Sequence, residues 1–163
     1  MKVKKVCFLA ISVGIIYLWF GMLKFFPHMS PAEELARNTI KTLTFGLISP
    51  GLGIKLLAIW ESAIGLMLLL HIYKKLAVSL AIVHIILTFS PLFLFPEQIF
   101  SHGPFSLSFT GQYIIKNIII LNVLIVLAQS GYAAFPRIKI RKFVSYYCIP
   151  AGIKAYYFQE RER

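Results

Sequence analysis

The sequence predicts an all-α polytopic membrane protein, a four-transmembrane-helix bundle with both termini cytoplasmic. Three observations predict it. Of the 163 residues, 58% are hydrophobic and only 14% are charged, whereas soluble domains carry about 25% charged residues. The apolar residues gather into four runs, 6–26, 54–72, 76–95 and 112–129, each able to cross about 30 Å of hydrocarbon at 1.5 Å per residue. The basic residues lie just outside these runs and favour one side: Lys2, Lys4 and Lys5, the Lys74–Lys75 loop and the tail. Helix parity and the positive-inside bias agree on that side as cytoplasmic.

Span one ends at Pro27, and its length sets it apart from the short apolar core of a cleaved signal peptide. The outside segment that follows begins Ser30-Pro31-Ala32-Glu33. This pattern predicts a helix to Lys41 with Ser30 as N-cap, Pro31 at the first helical position and Glu33 closing a capping box. That helix mixes Leu35, Ala36 and Ile40 with Glu34 and Arg37, so it suits the membrane interface or a solvated linker. Ser49-Pro50-Gly51-Leu52-Gly53 reads as a turn before span two. The short loop around Tyr73 makes spans two and three an antiparallel hairpin. Ser90-Pro91 should kink or end the regular part of span three. In the second outside loop, Phe105 to Phe109 alternates with period two, as in a short extended piece with its phenylalanines turned inward. Residues 1–135 form the transmembrane domain. Residues 136–163 form a basic, aromatic tail that suits an anionic lipid surface better than nucleic acid.

The candidate site rests on charges placed where hydrocarbon disfavours them. Lys24 lies at the end of span one, Glu61 inside span two and Lys116 inside span four. Lys24 either snorkels to the interface or turns inward to pair with Glu61, an ion pair that Lys116 could share and Gln112, on the same helix face as Lys116, could hydrogen-bond. Trp60 precedes Glu61, and Asn117 follows Lys116. Polar groups inside a span normally face protein. His84, mid-way along span three, is a candidate proton carrier or ligand residue. His28 and His102 lack metal-ligand spacing, so no metal site is expected. Cys7 and Cys148 are far apart in sequence and do not form a dithiol motif. Phosphate loops, nucleophile elbows, haem motifs and dinucleotide fingerprints are all missing from the sequence.

Four short motifs then occur in a familiar order. Trp19-Phe20-Gly21-Met22-Leu23-Lys24-Phe25 followed by Pro27, Trp60-Glu61-Ser62-Ala63-Ile64-Gly65, Thr88-Phe89-Ser90-Pro91-Leu92 and Gly111-Gln112-Tyr113-Ile114-Ile115-Lys116-Asn117 resemble the helix motifs of the DoxX superfamily, especially its YkgB-like branch. The likeness covers residues 6–130. It implies a four-helix bundle in a bacterial-type inner membrane and a link to redox work, as in a small subunit of thiosulfate–quinone oxidoreductase or a membrane partner of oxidative-stress proteins. It also implies that Lys24, Glu61 and Lys116 are the positions to weigh. The basic tail after Phe135 and the compact outer segment depart from that pattern.

These observations support three functions. The first is a redox-associated membrane subunit that holds a quinone or similar amphipathic molecule in a polar intramembrane pocket. There Lys24 and Lys116 would polarise a carbonyl oxygen and Glu61 would relay a proton. No cofactor belongs to the chain itself, so a redox partner protein would carry the electrons. The second is a non-enzymatic anchor or assembly subunit in which Lys24 and Glu61 are a structural clasp. The third is a small proton or anion transporter, which with four spans per chain would need a homo-oligomer.

Overall fold

The structure, a computed structural model, describes residues 3–130 except His28, Pro31, His102, Pro104 and Phe105. The expected tail, residues 136–163, lies outside the described residues, as do Lys2, His28, His102 and Cys148. The order is α1 (Val3–Leu23), α2 (Glu33–Leu43), α3 (Pro50–Leu69), α4 (Lys74–Leu87), α5 (Pro91–Leu94), α6 (Pro96–Ile99), α7 (Phe109–Ile115) and α8 (Asn117–Gln129). Among the described residues four helical stretches are long and apolar enough to cross a membrane: Lys5–Leu23, Pro50–Leu69, Lys74–Leu94 and Phe109–Gln129. Among the described residues the chain is otherwise helical or irregular, with one isolated antiparallel bridge between Phe100 and Leu107.

The tightest packing is between α1 and α3, and glycine makes it. A Cβ on Gly65 would stand 2.5 Å from the backbone nitrogen of Leu18. One on Gly21 would stand 2.6 Å from Ser62 Oγ and 3.0 Å from Glu61 Cβ. Where lipid is as apolar as the helix surfaces, small residues allow the backbones to approach and gain dispersion contact. The α1–α3 pair then packs on α4 and α8 around Val13, Ile64, Leu68, Ala81, Leu124 and Leu127. A second apolar cluster forms the end of the bundle that carries α2. It joins Leu35 of α2, Ile99 of α6 and Ile114 of α7, with Phe89 packing against both clusters.

The structure corrects several local expectations. α2 begins at Glu33, with Ala32 as the flanking residue in the left-handed region (φ 57), so Ser30 is not its N-cap. The capping-box frame shifts with it, and Glu33 Oε1 accepts from Arg37 Nε and Nη2, at 3.0 and 2.6 Å. α3 begins at Pro50, four residues earlier than span two was expected, because proline suits the first helical turn. Gly51 and Gly53 are therefore helical, and Gly53 gives Ile40 of α2 its seat. Span three does break where Ser90-Pro91 predicts, between α4 and α5. Of the phenylalanines expected to turn inward, Phe105 lies outside the described residues and Phe109 is corrected. Leu107 joins the end cluster, while Phe109 opens α7 and is 79% exposed. α2 and α3 end alike: the Gly46 N–H reaches Lys41 O and the Ile72 N–H reaches Met67 O, with Phe45 and His71 at positive φ between. This six-residue closure satisfies carbonyls that the helix ends leave unpaired.

Gly65→Ala should lower unfolding stability by about 1–3 kcal/mol, because the rigid Leu18 backbone cannot yield to the new methyl group. Gly51→Ala, with open space around the new Cβ, should be neutral or slightly stabilising. Unfolding titration of both variants in mixed micelles checks the contrast.

Candidate functional site

Glu61 is the centre of the site. It is buried on α3, level with Gly21 of α1, and both of its carboxylate oxygens are engaged. Lys24 Nζ donates to Oε2 at 2.6 Å. Lys24 lies just beyond the last residue of α1, yet its side chain runs back along the helix, and the ammonium also reaches Phe20 O at 3.5 Å. That direction follows the N-terminal tilt of helical side chains. The ammonium therefore does not snorkel outward, and the Lys24 side chain is only 11% exposed.

The second oxygen, Oε1, faces His84 Nε2 at 3.0 Å. His84 Nδ1 is 3.1 Å from the Tyr17 hydroxyl, which is itself 3.0 Å from Ala81 O. The Tyr17 hydroxyl faces Ala81 O and His84 Nδ1 together, and the donor and acceptor roles of the two ring nitrogens follow the tautomer of His84. Nε2 and Oε1 face each other across one hydrogen-bonding contact. Lys24, Glu61, His84 and Tyr17 thus form one hydrogen-bonded line across α1, α3 and α4.

Around this line three buried polar atoms have no hydrogen-bond partner among the described residues: Trp60 Nε1, Ser62 Oγ and Tyr113 OH. Trp60 packs beside His84, with ring centroids 6.1 Å apart. Ser62 abuts Gly21. Tyr113 stands edge-on to Phe20 at 5.7 Å and within electrostatic reach of Glu61. Buried polar groups are normally paired, and each orphan costs about 1–3 kcal/mol. The three belong to residues that flank the line on α3 and α7.

Span four is where the expected convergence fails. Lys116 and Gln112 are exposed, and neither reaches Glu61. Gln112 Nε2 instead meets Leu107 O at 3.5 Å. The cause is helix rotation. Tyr113, Ile114 and Asn117 take the inward positions, and Asn117 Nδ2 donates to Thr88 Oγ1 at 3.1 Å. The outward face is left to the pair four residues apart, and the helix breaks at Lys116. Two residues of the site, Tyr17 and Tyr113, were missed from the sequence. Tyr17 is seven residues before Lys24 and shares its helix face, and Tyr113 is four before Asn117. The same face rule that grouped Gln112 with Lys116 therefore carries both signals.

A separate polar pair closes the opposite end of the bundle. Cys7 Sγ lies 3.2 Å from His71 Nε2, and His71 Nδ1 lies 2.9 Å from Leu69 O. Burial, and secondarily the nearby Lys74 ammonium, hold the imidazole below its ordinary pKa, against the Leu69 hydrogen bond. Among the described residues no group of three or more His, Cys, Asp or Glu side chains is placed to hold a metal. The chain matches no known family, no characterised protein and no solved structure.

Lys24→Met and Glu61→Gln should each destabilise strongly, by about 3–5 kcal/mol, because each strands a buried charge. The double variant should cost less than the two singles added together, and a double-mutant cycle of unfolding in detergent measures that coupling. The His71 shift also sets a sign with pH. Its folded-state pKa is lowered, so the contribution is present above the ordinary imidazole pKa of about 6.5. It is lost as pH falls through that value toward the folded one, because the unfolded chain takes the proton first. The melting temperature should therefore fall from pH 7 to pH 5, and fall less in His71→Asn, which keeps a residue tolerant of positive φ.

Proposed function

We propose that this is a DoxX-like inner-membrane subunit that binds a quinone or similar amphipathic carbonyl compound at the Lys24–Glu61–His84 cluster and works with a redox partner protein. The observation that carries this function is the excess of donors around one carboxylate. Lys24 has N–H groups beyond those used on Glu61 and Phe20 O, and Trp60 offers a donor-only N–H. The buried Ser62 and Tyr113 hydroxyls have no acceptor among the described residues. What such a site requires is an acceptor oxygen carried on an apolar body, as in a quinone.

The residues suit that chemistry. When bound, a quinone supplies reversible two-electron, two-proton chemistry, with the electrons coming from the partner protein. Lys24 beside a carbonyl oxygen stabilises negative charge as it develops. The Glu61–His84 contact holds a proton that can be given to a neighbouring oxygen and replaced. Tyr17, tied to Ala81 O, fixes the ring of His84. The charge bias of the sequence supports cytoplasmic termini, which puts the cluster in the outer half of the membrane. The basic tail then faces the anionic cytoplasmic leaflet.

A structural clasp is the rival function. Its favouring observation is that both Glu61 oxygens are matched and tie three helices together. A clasp leaves the three orphan groups unexplained. Trp19 and Trp60 are the chain's two tryptophans, so Trp19→Phe leaves Trp60 as a reporter packed against His84. Titrating quinone into liposomes of this variant should give saturable quenching. Glu61→Gln should weaken it at least tenfold, about 1.4 kcal/mol. Quenching that rises linearly without saturation, as for collisions in lipid, would reject quinone binding and leave the clasp.

A further inference from the structure

We infer that the ligand of this site enters sideways from the lipid, between α1 and the α7 half of span four, past a gate made by Phe20 and Tyr113. Its substrate class is therefore a membrane-dissolved carbonyl amphiphile with a long apolar tail, not a water-soluble compound. This inference rests on the binding function proposed above and deepens it.

The walls of the site decide the route. Toward the α2 end the bundle is capped by the Leu35, Ile99 and Ile114 cluster, in which Ile99 has no exposed surface. The cap is tied by backbone as well as by packing. Ser108 N donates to Ile99 O at 2.8 Å, and Ser108 Oγ donates to Gln98 O at 2.7 Å. Gly111 lies so close to Ile99 O that a Cβ there would clash. An aqueous solute arriving from that end meets a packed apolar plug. Toward the other end lies the main core. Between α1 and α3 the backbones approach at glycine and leave no passage. Between α4 and span four, Asn117 and Thr88 are hydrogen-bonded, and between α3 and α4 His84 Nε2 bonds Glu61 Oε1 while Trp60 packs beside the His84 ring.

The remaining wall is different in kind. At the level of the site, α1 and α7 meet through two rings, Phe20 and Tyr113, standing at 86°. Neither ring is fully buried, and the Tyr113 hydroxyl has no partner among the described residues. Side chains rotate where backbones cannot, since ring and rotamer changes take far less than helix separation. A carbonyl head passing the rings would meet the Tyr113 hydroxyl first and Lys24 next, while its tail stayed among lipid chains. Tyr113 is then both half of the gate and a hydrogen-bond donor to the ligand.

The test uses the full chain in liposomes with Trp60 as the only tryptophan and a long-chain quinone as probe. In a background of Cys7→Ser and Cys148→Ser, Phe20→Cys and Tyr113→Cys are joined by a short bifunctional methanethiosulfonate and released by reductant. The joined protein should bind at least tenfold more slowly, with the rate restored on release. Phe20→Ala alone, in the Trp19→Phe chain, should speed binding severalfold. If saturable quenching persists at the same rate in joined, released and Phe20→Ala proteins, entry lies elsewhere and the gate is overturned while the binding function stands. If saturable quenching is absent from all of them, including the chain altered only at Trp19, the binding function fails and the gate fails with it.

Discussion

A carboxylate placed deep among apolar helices must be answered at both oxygens, and much of this structure serves that requirement. Glu61 is answered by Lys24 from α1 and by His84 from α4. Lys24 would not reach it if α1 and α3 were separated by an ordinary side-chain layer. The glycines at 14, 21 and 65 remove that layer. The ammonium then has a short return path along its own helix, and the carboxylate is neutralised within a few ångströms. Charge pairing and backbone approach are thus one arrangement. The glycine contacts alone would give a tight helix pair with a stranded acid. The charges alone would lack a geometry in which to meet.

The two ends of the bundle treat polarity differently. At the α2 end, an apolar cap shuts over a polar line of four side chains. At the other end, Cys7 and His71 form a compact pair beside a tight helix–helix turn. His71 there does two things at once. Its backbone takes the left-handed conformation that closes α3, and its imidazole faces the thiol. Glycine would suit the first role and remove the second.

Much of the fold was legible in the sequence. Hydropathy located all four membrane-length helices, and Ser90-Pro91 marked the break in span three. A lysine at the end of span one and an acid deeper in span two, within reach of a lysine stem, pointed to Lys24 and Glu61, which the structure brings together. Legibility ended where rotation about a helix axis mattered. His84 was visible as a polar residue in span three, but spacing along one helix does not say which neighbour it meets. In span four the rule that residues four apart share a face gave two candidate faces. Gln112 with Lys116 carried the charge and drew the eye, while Tyr113 with Asn117 was the face turned inward. The start of α2 misled for a local reason. The helix starts one residue after Ala32, which takes the left-handed flanking position, so the Ser30-Pro31 frame falls outside it.

The pairing of Lys24 with Glu61 also bears on how the chain is made. The two residues are 37 positions apart, so in N-to-C synthesis the cation reaches the membrane well before its anion. A lysine at the very end of its helix is suited to that interval. Its long stem can first hold the ammonium among lipid head groups, and it can swing inward once α3 arrives at the glycine seam. Had the cation been placed two turns deeper, the first helix would have had to be inserted with its charge stranded. The position of Lys24 therefore reconciles the order of biogenesis with the finished fold.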